Sequence, residues 1–277
     1  MKLVAIDMDD TLLRTDKSFN RERFTQIYAE FQKREMILTI ASGNSYPKLN
    51  EYFSYMQHEN LYLAADNGNY LVKDGEVLYK NKIRHSDLTQ AVNYLEELGT
   101  FSIVFSDGQR TYSKWINPEN EDYVLSFNKN LTLIDSLDEI KDKEIVKVAV
   151  HSDLSLAESK NISDNLIINF ENLDAVTSGG GWLDFYRLGG GKGSAIASLQ
   201  EKYTIHKNQT MVFGDSLNDA SMVQYAKYSI AMGNSDLALK EISNYKIGTN
   251  QEQAVLTLLE KYLKNNNLDF MRRYKTK

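Results

Sequence analysis

The sequence predicts an α/β fold in which a doubly wound parallel sheet carries an inserted α+β module. Continuous apolar runs at residues 3–6, 36–41 and 61–65 are typical of strands buried on both faces of a parallel sheet. Between about residues 84 and 186 the pattern changes, and afterwards it returns to alternating helices and short apolar strands. These observations together favour one sheet interrupted by a second module.

The first strand stops at an acidic cluster, and a helix follows it. Phe24, Ile27, Tyr28 and Phe31 recur at helical spacing, and Asn20 precedes them as a candidate N-terminal cap. A strand, a helix and a second strand in this order predict the right-handed crossover of a parallel sheet. Residues 70–79, with Asp-Gly at their middle, predict a hairpin at the edge of the sheet.

The predicted module alternates helical and β-rich stretches. We expect helices at 88–98, 119–127 and 154–161, and strands at 101–105, 145–150, 166–170 and 175–178. Two glycine triplets, 179–181 and 189–191, follow and suit a hinge or a close backbone approach. The predicted boundaries are 84–186 for the module, and 1–83 with 187–277 for the main domain.

The crossover pattern resumes after the module. A helix at 194–202 and strands at 211–213 and 228–232 extend the parallel sheet. The spacing of Val255, Leu258, Leu259 and Tyr262 predicts a closing helix.

Composition excludes several classes of protein. The formal charge of -6 over 277 residues argues against nucleic acid as a partner, because such binding needs a concentrated basic face. The chain has no cysteine, so disulfides and thiolate metal sites are excluded. No apolar run resembles a signal peptide or a bilayer-spanning segment. We therefore expect a cytoplasmic protein that contacts neither nucleic acid nor membrane, with a monomer as the default state.

Two acidic clusters follow predicted strands at the point where each strand ends. Residues 7–11 read Asp-Met-Asp-Asp-Thr, and residues 214–219 read Gly-Asp-Ser-Leu-Asn-Asp. Open α/β sheets bind ligands at this edge, and carboxylates held close together are best neutralised by a hard cation. The candidate ligands of Mg²⁺ are therefore Asp7, Asp9 and Asp215, with a backbone carbonyl among the coordinating oxygens.

Three further positions suit a phosphate group. Ser42 ends the second strand and can donate a hydrogen bond to a phosphate oxygen, beside the backbone amide of Gly43. Lys192 begins a helix between glycines and can neutralise phosphate charge. Taken singly, each feature has a plainer interpretation: the acidic clusters and Ser42 as turns or helix caps, and Lys192 as a solvated surface charge.

Taken together, these residues resemble the four motifs of the haloacid dehalogenase superfamily of phosphotransferases, in the same order. The α+β module between the second and third motifs resembles the C2B cap of its Cof-type subgroup, and residues 41–46, 177–181 and 231–234 are similar to its sugar-phosphatase branch. The resemblance covers nearly the whole chain and implies a Rossmann-like core. Many Cof-type members carry Arg where this chain has Asn44, so one substrate contact differs.

The resemblance implies a Mg²⁺-dependent phosphatase that acts on small phosphorylated metabolites, sugar phosphates first of all. Asp7 would be the nucleophile and Asp9 the general acid and base, with Lys192 as the catalytic cation. Asp219 would act behind the metal site by orienting its waters or Lys192. The resemblance also implies phosphate contacts from Met8, Thr11, Ser42, Gly43, Lys192 and Asn218. The expected contacts with the rest of the substrate are from Asn44, Asn67, Trp182 and Asp184.

Three other functions compete with this prediction. A phosphomutase of the same superfamily would return the phosphate to its substrate, and a non-catalytic sensor would bind sugar phosphate without turnover. A signalling receiver module also groups acidic residues, Ser or Thr and Lys around Mg²⁺, but it is far shorter and orders them differently along its strands.

Overall fold

The computed structural model describes residues 1–99, 101–128, 130–179 and 181–276. Its strands form two sheets, one of eight strands and one of six. In chain order they are β1 (Leu3–Asp7), β2 (Ile37–Ala41), β3 (Leu61–Ala65), β4 (Tyr70–Lys73), β5 (Glu76–Lys80), β6 (Ser102–Ser106), β7 (Thr111–Ser113), β8 (Leu131–Leu133), β9 (Lys147–His151), β10 (Leu173–Gly179), β11 (Trp182–Arg187), β12 (Thr210–Gly214), β13 (Tyr228–Ala231) and β14 (Tyr245–Lys246).

The α-helices pack on these sheets or connect their strands. In chain order they are α1 (Arg21–Lys33), α2 (Tyr46–Glu51), α3 (His85–Leu98), α4 (Glu121–Phe127), α5 (Leu156–Asn169), α6 (Lys192–Lys202), α7 (Ala220–Val223), α8 (Leu237–Ile242) and α9 (Ala254–Asn265). No helix in the described ranges is both long enough and apolar enough to cross a bilayer.

The larger sheet has the strand order β14-β13-β12-β1-β2-β3-β4-β5. Strands β14 to β3 in this order are parallel, and β4 and β5 add an antiparallel hairpin at the edge, as predicted for residues 70–79. The chain moves outward from β1 to β3 and later from β12 to β14. The direction therefore reverses between β1 and β12, which is the point where open α/β sheets bind ligands.

Strand β1 is buried on both of its faces. Val4 and Ile6 belong to the apolar layer shared with α1 and α9, whereas Leu3 and Ala5 belong to the opposite layer with α6. Successive side chains of a strand point to opposite faces, so a continuous apolar run is what a doubly covered strand needs. This confirms the predicted fold class.

The smaller sheet has the order β10-β11-β9-β6-β7-β8, and its two faces differ. Val148 and Val150 of β9 belong to the apolar cluster that α3 and α5 also form. Lys147 and Ala149, which alternate with them, line a cavity instead. One face of the smaller sheet is thus covered by helices, and the other faces the cavity.

One predicted strand is wrong. Residues 166–170 were expected to be β because Leu166, Ile167 and Ile168 form an apolar run, but α5 continues to Asn169. Ser155 and Glu158 form a reciprocal capping box that starts this helix. Only Leu166 of the run is buried, whereas the other two side chains are partly exposed, so the run follows helical and not strand burial.

The two glycine triplets have different places in the fold. Residues 179–181 lie in sequence between the end of β10 and β11, where Gly181 has a φ of 78° and Gly180 lies outside the described residues. Residues 189–191 lie between β11 and α6, where the chain passes from one sheet to the other. Only the second triplet has a location that suits a hinge.

The two chain segments that connect the sheets lie side by side. Asn81, just after β5, donates from Nδ2 to the carbonyl of Arg187 (2.9 Å) and to Oδ1 of Asn69 (3.1 Å). The boundaries predicted at 84 and 186 fall in or beside these segments, although β11 continues to Arg187. We retain the division into 84–186 and the remainder as a proposal.

Candidate active site

The carboxyl ends of β1 and β12 bring the two acidic clusters together. Asp7 is the last residue of β1, and Asp215 follows β12, its neighbour in the sheet. Asp7, Asp215 and Asp219 each offer a carboxylate oxygen, and these oxygens lie within 4.8 Å of one another. Asp7 and Asp215 are far apart in the sequence, but the pairing of β1 with β12 brings them together, because the ends of adjacent parallel strands meet at one edge.

A buried lysine joins two of these carboxylates. Nζ of Lys192, the first residue of α6, lies 2.6 Å from Oδ1 of Asp7 and 2.6 Å from Oδ1 of Asp219. Lys192 is 1% exposed and Asp7 is 4% exposed, so water screens these charges little. Burial opposes the charge on Lys192, but Asp219 and then Asp7 raise its pKa above the ordinary value.

The carboxylates themselves are held in an unfavourable environment. Burial, and next the charge of Asp219, raises the pKa of Asp7 well above its ordinary value, with Lys192 acting in the opposite direction. Burial and Asp219 likewise raise the pKa of Asp215 to about 7. Three carboxylates around one ammonium carry excess negative charge, which a further cation would neutralise.

The oxygens of this cluster fit a hard divalent cation such as Mg²⁺. Both oxygens of Asp219 are already occupied, Oδ1 by Lys192 and Oδ2 by the backbone amides of Asp215 (2.9 Å) and Ser216 (3.2 Å). Oδ1 of Asp215 accepts from the hydroxyl of Thr11 (3.0 Å). The oxygens most available to a cation are therefore on Asp7 and Asp215.

Asp9 lies apart from this cluster. Its carboxylate pairs with Nζ of Lys17 (2.7 Å) and accepts from Nδ2 of Asn44 (3.1 Å), and its side chain is 40% exposed. A contribution of Asp9 to the metal site would therefore come from its backbone carbonyl. The Asn44 amide also donates to Oγ of Ser42 (3.0 Å), so this residue connects Asp9 with the end of β2.

The other predicted phosphate contacts surround the same edge. Ser42 is fully buried directly after β2, and Gly43 lines the cavity next to it. Asn218 also lines the cavity, and its Oδ1 accepts from the hydroxyl of Ser216 (2.7 Å). The side chain of Met8 instead lies in the apolar core, so only its backbone can face a ligand.

The cavity has a volume of about 560 Å³ and lies between the two sheets. Its lining includes Asp7, Lys192 and Asp215 at the edge of the larger sheet, together with residues of β6, β9, β11 and α4. The predicted substrate contacts Trp182 and Asp184 both border it. Tyr112 and Trp115, which are other aromatic residues of the module, are not among its lining residues.

A buried polar network spans the cavity and connects the sheets. Nζ of Lys147 donates to the carbonyl of Gly43 (2.6 Å) and lies 3.5 Å from Asp66 and 3.8 Å from Asp184. Asn67 donates to Asp184 (2.7 Å). Burial raises the pKa of Asp66 to about 6, although Lys147 opposes the shift.

Sequence reasoning missed Lys147, Asp66 and Ser106, whose hydroxyl donates to Asp66 (3.0 Å). A signal for Lys147 was present, because residues 147–151 alternate polar or small residues with valines, as expected of a strand with one open face. Asp66 carried no comparable signal, since its role depends on the three-dimensional approach of the two sheets.

The fold and the site define a Rossmann-like α/β protein with an oxygen-rich, cation-compatible cleft at its topological switch point. The family model of the haloacid dehalogenase-like hydrolases matches residues 4–259, and the chain belongs to that family. The resemblance predicted from the motifs is therefore confirmed.

Relatives along almost the full chain are named as phosphatases. The 5-amino-6-(5-phospho-D-ribitylamino)uracil phosphatase YbjI of Escherichia coli is 26% identical over 275 residues, which cover 96% of this chain and 97% of that protein. The phosphatase YcsE of Bacillus subtilis, named for the same substrate, is 26% identical and covers 92% of this chain, with 93% of YcsE aligned. The predicted enzyme class, a phosphoric monoester hydrolase, agrees with these names.

A solved structure shows the same architecture. The protein SMU.1108c of Streptococcus mutans superposes with a TM-score of 0.87 at 29% identity, covering 95% of this chain and 99% of that one. Both sheets of the present chain therefore have counterparts in a known fold.

Proposed function

We propose that this protein is a Mg²⁺-dependent phosphatase that hydrolyses small phosphomonoesters through a phospho-aspartyl intermediate on Asp7. The observation that carries the proposal is the bridge of Lys192 between Asp7 and Asp219, beside Asp215, at the switch point of the sheet. The phosphatase names of the relatives support the reaction class.

In the proposed first step, Asp7 attacks phosphorus and the ester oxygen leaves. Because Lys192 holds Oδ1 of Asp7, we assign Oδ2 as the nucleophilic oxygen. The oxygen–phosphorus bond of the acyl phosphate forms as the bond to the alkoxide breaks. Lys192 lies next to the transferring phosphoryl group in this arrangement, so its charge offsets charge on the equatorial oxygens.

Further groups would bind the remaining phosphate oxygens. We assign these contacts to Ser42, Asn218 and the backbone amides of Met8 and Gly43, all of which belong to the loops around the cavity end. Thr11 supports this loop through its bond to Asp215. Mg²⁺, held by Asp7 and Asp215 with the backbone of Asp9, would supply charge neutralisation for the transferring group.

Asp9 would protonate the leaving alkoxide and later accept a proton from the water that hydrolyses the acyl phosphate. In the present structure its carboxylate pairs with Lys17 and Asn44. Asp9 must therefore leave the Lys17 pair before it donates a proton. Asn44 can guide this rearrangement because it already contacts both Asp9 and Ser42.

We propose a sugar phosphate or sugar-alcohol phosphate as the substrate. Lys147, Asp66 and Asp184 of the polar network line the cavity, where they can meet hydroxyl groups of a leaving group. The relatives YbjI and YcsE are named for a substrate with a phosphorylated ribityl chain, which belongs to this chemical class.

Replacing the proposed nucleophile tests this function. Asp7→Asn is nearly isosteric, so we expect a folded protein whose Mg²⁺-dependent phosphate release falls by roughly 10³-fold or more. Asp10→Asn is the matched control, because Asp10 borders the same cavity and Asn tolerates its φ of 55°.

Phosphate release is measured over hexose, pentose and triose phosphates, with product analysis. Free phosphate in equal amount to consumed ester supports hydrolysis, whereas an isomerised ester without free phosphate indicates a mutase. Turnover by Asp7→Asn comparable with that of the control variant rejects Asp7 as the nucleophile.

A further inference from the structure

The loop after β2 presents three consecutive backbone carbonyls, those of Ser42, Gly43 and Asn44. The outer two accept hydrogen bonds from backbone amides of the turn after β3, at 2.9 Å each. The middle carbonyl, that of Gly43, accepts instead from Nζ of Lys147 at the start of β9 (2.6 Å). One peptide group in a loop of the larger sheet is therefore held by a side chain of the smaller sheet.

The ammonium of Lys147 is buried and charged. Its side chain is 9% exposed, and Nζ lies 3.5 Å from a carboxylate oxygen of Asp66 and 3.8 Å from one of Asp184. Burial opposes the charge, but Asp184 and then Asp66 raise the pKa of Lys147 above its ordinary value. The bond to Gly43 is the shortest of these three contacts. A charged donor makes hydrogen bonds that are roughly twice as strong as those between neutral groups.

The Gly43–Asn44 peptide connects this ammonium to Ser42. Its carbonyl accepts from Lys147, and its amide, the backbone N–H of Asn44, donates to Oγ of Ser42 (3.1 Å). A hydrogen bond accepted at one end of a peptide group polarises the donor at the other end and strengthens the bond that it makes. The ammonium and the serine hydroxyl are thus joined through a single peptide group.

The hydroxyl of Ser42 is oriented by the bonds that it accepts. Oγ accepts from the backbone N–H of Asn44 (3.1 Å) and also from Nδ2 of the same residue (3.0 Å). A hydroxyl oxygen accepts two hydrogen bonds and carries one hydrogen, so the remaining bond of Ser42 is one that it donates. A phosphate oxygen is a suitable acceptor for that hydrogen. The amide of Gly43, which we also assign to phosphate, belongs to the same loop.

We propose that Lys147 is a positioning residue for phosphate binding: by holding the Gly43–Asn44 peptide, it orients the Ser42 hydroxyl and the Gly43 amide toward the phosphoryl group. This inference rests on the proposed phosphatase function and adds a residue to that same site. Lys147 acts here on the phosphate loop, whatever the leaving group of the ester. Because Lys147 belongs to the smaller sheet, the phosphate loop is complete only while the two sheets are in contact.

The ammonium can be removed and restored at this one position, because the chain has no cysteine of its own. Lys147→Cys is alkylated in urea and refolded. With 2-bromoethylamine the product regains an ammonium on a side chain in which sulfur replaces Cγ, whereas iodoethane gives nearly the same chain without the ammonium. Lys114→Cys, treated in the same two ways, is the control, because Lys114 is exposed and does not line the cavity.

A second background guards against misfolding of the variant without an ammonium. Loss of Lys147 leaves the buried carboxylates of Asp66 and Asp184 uncompensated, which is strongly destabilising. The same alkylations are therefore repeated in the double variant Lys147→Cys with Asp66→Asn, which removes one negative charge together with the positive one. Its reference is Asp66→Asn alone, in which the lysine is retained.

Two esters separate positioning of phosphate from binding of the leaving group. The leaving group of 4-nitrophenyl phosphate has no hydroxyl substituent, whereas that of ribose 5-phosphate has several. We expect the ethylated protein to lose about 10²-fold in kcat/KM for both esters, and the aminoethylated protein to recover to within about tenfold of its reference. Both alkylated forms of Lys114→Cys should stay within about threefold of the wild type.

Binding of inorganic phosphate measures the same effect without catalysis. In titration calorimetry with Mg²⁺ present, we expect the dissociation constant of phosphate to be about tenfold higher for the ethylated than for the aminoethylated protein. Equal dissociation constants in the two forms would overturn the inference. So would a loss of kcat/KM for ribose 5-phosphate alone, because Lys147 would then contact the leaving group.

Two further outcomes are decisive. Equal losses for both esters that aminoethylation does not reverse would show a purely structural role and would overturn the inference. A wild-type protein that releases no phosphate from any ester, but whose binding of inorganic phosphate still depends on the ammonium at position 147, would overturn the proposed function and keep the positioning role.

Discussion

At the scale of single residues, the electrostatics of the site centre on the buried ammonium of Lys192. It compensates two carboxylates directly, while Asp215 lies beside them with a pKa raised to about 7 by burial and by Asp219. A buried ion pair stabilises a protein only when its remaining charges are also compensated. The metal-free site therefore lowers stability above neutral pH, and a bound cation should reverse this effect.

Magnesium should stabilise the wild-type protein through Asp215. At a Mg²⁺ concentration a hundred times the dissociation constant, binding to the folded state adds about 2.7 kcal/mol to the free energy of unfolding. We expect Asp215→Asn to lose most of this gain and, in EDTA at pH 8, to be more stable than the wild type, because the substitution removes a disfavoured charge. Urea unfolding with and without Mg²⁺ measures both effects.

Asp236→Asn serves as the control for this experiment. Asp236 also lines the cavity, but it is exposed and lies outside the carboxylate cluster. It should keep the wild-type response to Mg²⁺. An undiminished response in Asp215→Asn would show that Asp215 does not hold the ion.

The site residues at strand ends could be predicted from the sequence, whereas the contact between Lys147 and Asp66 could not. Asp7 and Asp215 follow apolar strands, so the parallel-sheet rule alone places them at one edge. Lys192 became a candidate only through the joint pattern of motifs. Lys147 and Asp66 meet because two sheets approach each other, and neither spacing nor periodicity encodes that approach.

At the scale of elements, the turn after β3 packs closely against the first residue of α6. Gly68 has a φ of 78°, and a Cβ placed on it would lie 2.7 Å from both the carbonyl oxygen of Gly191 and Cα of Lys192. Backbone atoms at that distance could move aside only if the turn or the start of α6 were distorted. The turn therefore presses directly against the residue whose side chain reaches Asp7.

Gly68→Ala should consequently damage both stability and catalysis. We expect destabilisation by about 1–3 kcal/mol from overpacking, in addition to the strain of a positive φ, and a loss in kcat on the order of 10²-fold from displacement of Lys192. Gly75→Ala is a close control, since Gly75 has the same φ of 78° but nothing within 4 Å of the added Cβ. Unfolding midpoints and steady-state kinetics of both variants provide the comparison, and equal effects would contradict the packing argument.

Element type was predictable where burial and periodicity agreed. Strands β1, β2, β3 and β12 satisfy this condition because almost every residue in them is buried. In α5 the apolar run Leu166–Ile167–Ile168 suggested a strand, yet the cap at Ser155 had already set a helix whose outer face tolerates exposed apolar residues. A local capping signal therefore outweighs a short apolar run.

At the scale of the whole molecule, the buried network of Lys147 and Asp66 couples the two sheets and makes stability depend on pH. The folded-state pKa of Asp66 is raised to about 6 by burial, so the folded protein binds this proton more tightly than the unfolded chain. The contribution of Asp66 to stability is therefore complete below about pH 4 and is lost as the pH rises to about 6.

Replacing Asp66 should flatten this part of the pH profile. In the wild type, the ionisation of Asp66 should lower the free energy of unfolding as the pH rises from about 4.5 to about 7.5. In Asp66→Asn this decrease should be smaller by about 2 kcal/mol. Asp142→Asn, on the exposed surface, should behave as the wild type does. Urea unfolding at both pH values tests this, and identical profiles for all three proteins would exclude Asp66 as the source.

The two segments that connect the sheets lie side by side at Asn81 and Arg187, and this arrangement bears on how substrate enters and product leaves. Rotation about a few backbone bonds there would swing one sheet away from the other while every strand keeps its neighbours. The hydrogen bonds from Lys147 to Gly43, from Asn67 to Asp184 and from Ser106 to Asp66 would break in that motion and re-form on return. Entry of an ester and escape of its alcohol would then depend on how fast these hydrogen bonds between the sheets break and re-form.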